Sequence, residues 1–113
     1  MSTINARKKG QRGERKTNEW LRSVFPKISR NWQEQSAKGG VDHSNTGNID
    51  IETKCGKQCD IKKVEGWLKQ VADEGDPTNL DLVVCWPDRK PGYVILPVAD
   101  FYPLLEIYIK ETT

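Results

Sequence analysis

The sequence predicts one α/β domain, a central mixed β-sheet flanked by helices in the order α-β-β-β-α-β-β-α. Two observations carry this. Apolar residues recur at helical spacing near both ends and again after residue 60, while short alternating or apolar runs at 49–54 and 80–86 read as strands. A chain of 113 residues without repeat, low-complexity segment or linker fits one domain with a small core.

Residues 1–10 are polar and basic, and frayed ends are common in such segments. A helix is expected from about Arg12 to Phe25, with Trp20, Leu21, Val24 and Phe25 on its apolar face and Pro26 as its stop. Ile28 to Gln35 reads as a strand anchored by Trp32. A loop through Gly39 and Gly40 leads to a short strand at Val41-Asp42, a polar turn, and a strand over residues 48–54. Asp60 is placed to cap a second helix with Ile61, Val64, Trp67, Leu68, Val71 and Ala72 inward, stopped by Gly75 and Pro77. Leu80 to Trp86 reads as a buried strand and Tyr93 to Leu96 as the last one. A closing helix over about Ala99 to Lys110 carries Phe101, Leu104, Leu105, Tyr108 and Ile109, with Asp100 as N-cap and Pro103 tolerable only in its first turn. Phe101, Tyr102, Tyr108 and Ile109 suit either the core or a dimer interface.

The net charge of +2 hides an asymmetry: residues 1–30 carry nine basic side chains against Glu14 and Glu19, so this segment nets +7 and the remainder −5. A basic front end that runs on into a helix suits a polyanionic partner. No apolar run approaches the ~20 residues of a membrane span, and the N-terminus lacks a signal-peptide core. The expectation is a soluble, cytoplasmic chain. Cys55, Cys59 and Cys85 are an odd number with no zinc-finger spacing and read as reduced thiols.

The strand Ile49-Asp50-Ile51-Glu52-Thr53-Lys54 carries the chemistry. Its alternation puts Ile49, Ile51 and Thr53 on one face and Asp50, Glu52 and Lys54 on the other, with Asp42 ten residues before Glu52. Asp42, Glu52 and the Thr53 carbonyl supply hard oxygens for a divalent cation, and Lys54 an ammonium beside it. Asp-x9-Glu-x-Lys is a weak pattern alone, since a solvated strand of alternating charge produces it too. Asp50-x9-Asp60-x-Lys62 repeats the spacing but ends in what reads as a helix cap. Glu14 lies two turns before Leu21, at the rim of the first helix's buried stripe, and on local sequence reads as a first-turn acid favoured by the helix dipole.

With these motifs in order, the chain resembles the PD-(D/E)XK nuclease superfamily, and within it the archaeal-type Holliday junction resolvases and their small phage relatives. Lys9-Gly10-Gln11-Arg12-Gly13-Glu14-Arg15 is similar to the family's Lys-Gly-x-x-x-Glu-Arg. Ser36-Ala37-Lys38-Gly39-Gly40-Val41-Asp42 is similar to its Ser-x-x-Gly-Gly segment before the first Asp, and Ile51-Glu52-Thr53-Lys54 to its Glu-x-Lys strand. A helix with Trp67 and Gln70 follows, then an apolar strand, Arg89-Lys90, a strand ending Leu96-Pro97, and Asp100-Phe101. The resemblance covers about Arg7 to Leu105. Val41 replaces the proline that names the superfamily, and His43-Ser44-Asn45 replace the usual apolar residues after the Asp.

The resemblance implies a restriction-endonuclease-like core and a Mg²⁺- or Mn²⁺-dependent endonuclease acting on branched DNA, cytoplasmic in the host cell if phage-encoded. Glu14, Asp42 and Glu52 would hold the metal, with Thr53 contributing a carbonyl, and Lys54 would assist the attacking water. Arg7, Lys8, Lys9, Arg12, Arg15, Ser36 and Lys57 would contact DNA, and two symmetric cuts would call for a homodimer. A nuclease of the same chemistry on nicked, flapped or damaged DNA, and a non-catalytic DNA-binding module, are the alternatives.

Overall fold

A computed structural model describes residues 3–30 and 42–113, with side chains from Gln11 onward. The elements are α1 (Thr3–Leu21), β1 (Ser29–Arg30), β2 (His43–Ser44), β3 (Ile49–Cys55), two short 3₁₀ turns (Gly56–Gln58 and Ile61–Lys63), α2 (Val64–Glu74), β4 (Leu80–Trp86), β5 (Tyr93–Ile95) and α3 (Val98–Thr112). The chain is α/β as expected. It has a three-stranded mixed sheet in the order β3-β4-β5 and a separate antiparallel pair, β1-β2.

β3 and β4 run parallel, from Ile49 opposite Leu80 to Cys55 opposite Trp86, and α2 lies in the crossover between them. β5 pairs antiparallel with β4. In a parallel pair, opposed residues share a face. Ile51, Thr53 and Cys55 therefore share a face with Leu82, Val84 and Trp86, and Glu52 and Lys54 share the other with Val83 and Cys85.

α1 covers the first face. Its closest approach is at Gly13, where a Cβ would stand 2.7 Å from Cys55 Cβ and 3.1 Å from Thr53 Cγ2, so glycine is what lets the helix lie this near the strand. α2 covers the second face, packing Trp67 and Val71 on Val83 and Cys85. β3 is thus covered on both faces, where the sequence suggested a strand half buried. Strands enclosed this way are ordinarily near-continuous apolar runs. Asp50, Glu52 and Lys54 break that rule.

Several boundaries differ from expectation. α1 is helical from Thr3 and stops at Leu21. Its inward face is Gly13, Glu14, Thr17 and Asn18, while Trp20 and Val24 are exposed, because the helix meets the sheet through small and polar side chains. A short strand was expected at Val41-Asp42; among the described residues Asp42 is outside a strand and β2 is His43–Ser44. Asp60 caps a 3₁₀ turn, its Oδ1 accepting from the Lys62 N–H at 3.1 Å, so α2 starts only at Val64, and Ile61 and Ala72 face solvent. Pro97 is the N-cap of α3; Asp100 lies within the first turn and its Oδ2 accepts from the Asp81 N–H at 2.8 Å. No residue of α3 is buried, so Phe101, Leu104, Leu105, Tyr108 and Ile109 do not belong to the core. The expected strand beyond Arg30, its anchor Trp32, and Ser36, Gly39, Gly40 and Val41 lie outside the described residues. No helix among the described residues is long and apolar enough to cross a membrane.

Candidate metal and phosphate site

Glu52 sits at the middle of β3 and is 2% exposed, walled in by the sheet and α2. Asp42 reaches it from the segment before β2. Its N–H donates to the Ile51 carbonyl at 3.2 Å, and its Oδ2 accepts from the Thr53 N–H at 2.8 Å. Asp42 therefore runs alongside β3 at the edge opposite β4, and the two carboxyls meet within hydrogen-bonding reach. Burial, and then the neighbouring Asp42 charge, push the Glu52 carboxyl up to about 9. Burial raises Asp42 as well, against the pull of the Thr53 N–H. Glu52 Oε1 is buried and, among the described residues, finds no hydrogen-bond donor. Two carboxyls pressed together in a dry place need either a proton or a cation between them.

Lys54 lies on the same face. Its Nζ stands 3.8 Å from Glu52 Oε2, donates to Gln70 Oε1 at 3.2 Å, and lies 6.0 Å from the centroid of the Trp67 ring. α2 thus supplies two of the three groups that aim the ammonium. Gln70 of α2 is a half-buried partner of Lys54.

Glu14 is buried on α1 and ion-paired with Arg30, whose charge also acts on Asp42 and His43. It meets the site through that arginine. Among the described residues, no three His, Cys, Asp or Glu side chains stand together as a metal-binding group. What the fold brings together is the pair Asp42 and Glu52, with Lys54. Asp50 is turned to another use. Its carboxylate accepts from the Asp76 N–H at 2.8 Å and from Asn79 Nδ2 at 3.1 Å, clamping the loop that leaves α2. A Cβ at Gly75 would stand 2.1 Å from Asp50 Oδ2, so only glycine fits beneath that clamp.

The sequence did not point to the frame behind this site. Trp86 Nε1 donates to Thr17 Oγ1 at 2.8 Å, Thr17 Oγ1 is 2.9 Å from Thr53 Oγ1, Thr53 Oγ1 is 2.7 Å from His43 Nε2, and His43 Nδ1 is 2.8 Å from Asn18 Oδ1. With Asn18 Oδ1 accepting, the Nδ1–H of a neutral His43 donates to Asn18 and Nε2 accepts from the Thr53 hydroxyl, while the Thr17 hydroxyl takes the indole N–H and shares its own proton between Thr53 Oγ1 and the Gly13 carbonyl at 3.2 Å. Burial, aided by the Arg30 charge, lowers His43 to about 4, which keeps it neutral. The chain joins α1, β2, β3 and β4. Thr53 holds His43 by its hydroxyl and Asp42 by its N–H. Small and polar residues at 13, 14, 17 and 18 repeat at helical spacing, and this was the available signal; a search for apolar periodicity passes over it.

Of the basic residues, Arg12 and Arg15 are exposed on α1, with Arg12 3.8 Å from Asp88. Lys57 is exposed on the turn after β3, with Lys62 and Lys63 exposed nearby in sequence. The side chains of Arg7, Lys8 and Lys9, and all of Ser36, lie outside the described set. Lys16 lies over the Trp86 ring at 5.0 Å, and Trp86 meets Trp20 edge to face at 5.9 Å.

No family model matches the chain, and no curated protein or solved structure does either.

Proposed function

We propose that the chain is a metal-dependent endonuclease of the PD-(D/E)XK kind, acting on branched DNA. One observation carries this reading: two carboxyls, Asp42 and Glu52, pressed together in a buried place, with a Glu52 Oε1 that has no donor among the described residues and an ammonium 3.8 Å from Glu52 Oε2. A purely structural strand gains nothing from such a group, because each buried charge costs several kcal/mol, on the order of the whole stability of a small domain.

The residues fit a hard divalent cation. Mg²⁺ or Mn²⁺ keeps several waters and needs few protein oxygens, so Asp42 and Glu52 suffice as the anionic ligands, with the Thr53 carbonyl beside them and Glu14 at the margin through Arg30. Such a cation, when bound, neutralises the phosphate and lowers the pKa of water. The chain's own part is separate. Glu52 gives up its proton on loading the site, Asp42 is held in place by the Thr53 amide, and Lys54 presents a fixed positive charge to the reacting phosphate. In that position Lys54 orients the attacking water or stabilises the charge that develops on the phosphoryl oxygens. Arg12, Arg15 and Lys57, with Arg7, Lys8 and Lys9 of the basic front end and Ser36 of the segment before Asp42, are assigned to the phosphate backbone, a grip blind to sequence and weakened by salt. A junction needs two symmetric cuts, so the working unit is a two-fold pair of chains.

The substrate is tested by giving equal amounts of a synthetic four-way junction, a flap and a linear duplex to the protein in Mg²⁺. Preferential cutting of the junction supports the reading. Equal or preferred cutting of flap or linear duplex keeps the nuclease and removes the junction assignment. Tight binding without cutting under any divalent ion favours a DNA-binding module instead.

A further inference from the structure

The last turn of α2 holds acids where a helix disfavours them. Asp73 and Glu74 stand at the end whose free carbonyls repel anions, and that turn has no basic residue. Asp73 is exposed and offset by Lys69, 2.7 Å away. Glu74 is not offset. Its Oε2 is buried without a hydrogen-bond donor, and Glu52 Oε1 is the other buried side-chain oxygen in that state among the described residues.

Helix and strand geometry bring these two oxygens to one level. α2 runs against the Lys54-Glu52-Asp50 row of β3. At one end Lys54 Nζ donates to Gln70 Oε1 at 3.2 Å. At the other the Asp50 carboxylate lies against Gly75 and accepts from the Asp76 N–H at 2.8 Å. From Gln70 to Glu74 the helix rises about 6 Å. From Lys54 to Glu52 the strand covers about 6.6 Å. Glu74 also shares a helix face with Trp67, Gln70 and Val71, which lie on this side of the sheet. It therefore stands level with Glu52, as Gln70 does with Lys54. Its charge is felt there: behind burial and the Asp42 charge, Glu74 adds to the upward push on the Glu52 carboxyl. Lys54 Nζ is taken up by Gln70 Oε1 and Glu52 Oε2.

We infer that Glu74 is a further acid of the cation site, reaching from α2, through water that the ion keeps, a divalent cation bound at Glu52. The contact runs through water because, among the described residues, no three acids stand together as one ligand group. Mg²⁺ usually keeps several waters, and a carboxylate accepts strongly from them. A bound cation supplies what both oxygens lack: positive charge for Glu52 Oε1 and a polarised O–H for Glu74 Oε2. Glu74 is thus a positioning residue that sets how firmly the ion is held. The inference rests on the cation reading above and adds to it a residue that the strand pattern does not contain.

The test is Mn²⁺ binding to the metal-free protein by titration calorimetry, without DNA. Wild type is expected to bind, and Glu74→Gln, which keeps the shape and removes the charge, to bind about 10–100-fold more weakly. Asp73→Asn, one residue away on the exposed side, is expected to stay within about twofold of wild type. In chelator Glu74→Gln is expected to be no less stable than wild type in urea, since it relieves an unpaired buried charge. Wild-type affinity in Glu74→Gln overturns the inference and leaves the cation at Asp42 and Glu52. An equal loss in Asp73→Asn overturns it too, because the effect is then one of distant charge. A wild-type protein that binds no Mn²⁺ removes the cation reading itself, and this inference with it.

Discussion

The Thr53 N–H donates to Asp42 Oδ2 at 2.8 Å, so the strand that carries Glu52 also fixes the carboxylate beside it. Asp42 and Glu52 are ten residues apart in the chain, and this bond, with the one from the Asp42 N–H to the Ile51 carbonyl, makes them one group. Replacing either as Asp42→Asn or Glu52→Gln is expected to abolish Mn²⁺ binding measured by titration calorimetry, with the far-UV spectrum unchanged. Retained stoichiometric binding in both variants would place the cation elsewhere.

The same pair makes metal-free stability depend on pH. The folded-state value of Glu52 is raised to about 9 from 4.5. Its contribution is fully present below pH 4.5 and is lost as pH rises through 9, since the unfolded chain ionises this group and the folded one resists. In chelator, the wild-type Tm is expected to fall from pH 5 to pH 9, and Glu52→Gln to fall less, standing about 4 °C or more above wild type at pH 8. Adding Mg²⁺ should flatten the wild-type profile, because the cation takes the place of the proton. Parallel profiles for the two proteins in chelator would show that Glu52 ionises freely.

His43 has the opposite sign. Its value is lowered to about 4 from 6.5 by burial and then by Arg30. Its contribution is present above pH 6.5 and is lost as pH falls through 4, where the imidazole must charge inside the fold. His43→Ala is expected to cost about 1–3 kcal/mol at pH 7 by leaving Thr53 and Asn18 without their partner, and to flatten the acid limb of the urea-stability profile. A change under ~0.5 kcal/mol would show that the Asn18–His43–Thr53–Thr17–Trp86 chain is not what frames the site.

Lys54 is aimed by Gln70 and Glu52 rather than by the strand alone. Lys54→Ala is expected to lower the cleavage rate by ~10²–10⁴ with little change in DNA affinity. Gln70→Ala, which leaves the charge but loosens it, is expected to lower the rate by about tenfold. Equal losses in affinity and rate would make Lys54 a phosphate anchor instead.

Gly13 tests how α1 is seated. A Cβ there would stand 2.7 Å from Cys55 Cβ, so Gly13→Ala is expected to cost about 1–3 kcal/mol in urea unfolding despite alanine's better helix propensity. A stabilised variant would mean that α1 can lift from β3 without penalty.

Elements whose local pattern and tertiary surroundings agree were legible. Leu80–Trp86 is apolar but for Asp81 and is the central strand of the sheet, and Asp50-Ile51-Glu52 alternates and is a strand. Glu52, Lys54 and Asp42 were legible as a group because strand periodicity and one turn connect them. The face of α1 was not, since it packs through Gly13, Glu14, Thr17 and Asn18, and burial of polar residues leaves no apolar trace in the sequence. The role of His43 leaves no such trace either: it lies in two hydrogen-bond partners distant in sequence, Asn18 and Thr53. Asp50 shares the strand face of Glu52, and only the loop at Asp76–Asn79 shows that its carboxylate is spoken for. In α3 the apolar spacing was legible but not its exposure, because spacing alone does not say whether a stripe is buried.

The most direct test is cleavage of a synthetic four-way junction in Mg²⁺ by wild type, Glu52→Ala and Lys54→Ala, with a chelator control. The expected result is metal-dependent, paired cuts by wild type, none by Glu52→Ala, and a rate lowered by at least ~10² with Lys54→Ala. Three proteins that behave alike, whether all cutting or all inert, would contradict the assignment of Glu52 and Lys54 as the catalytic pair.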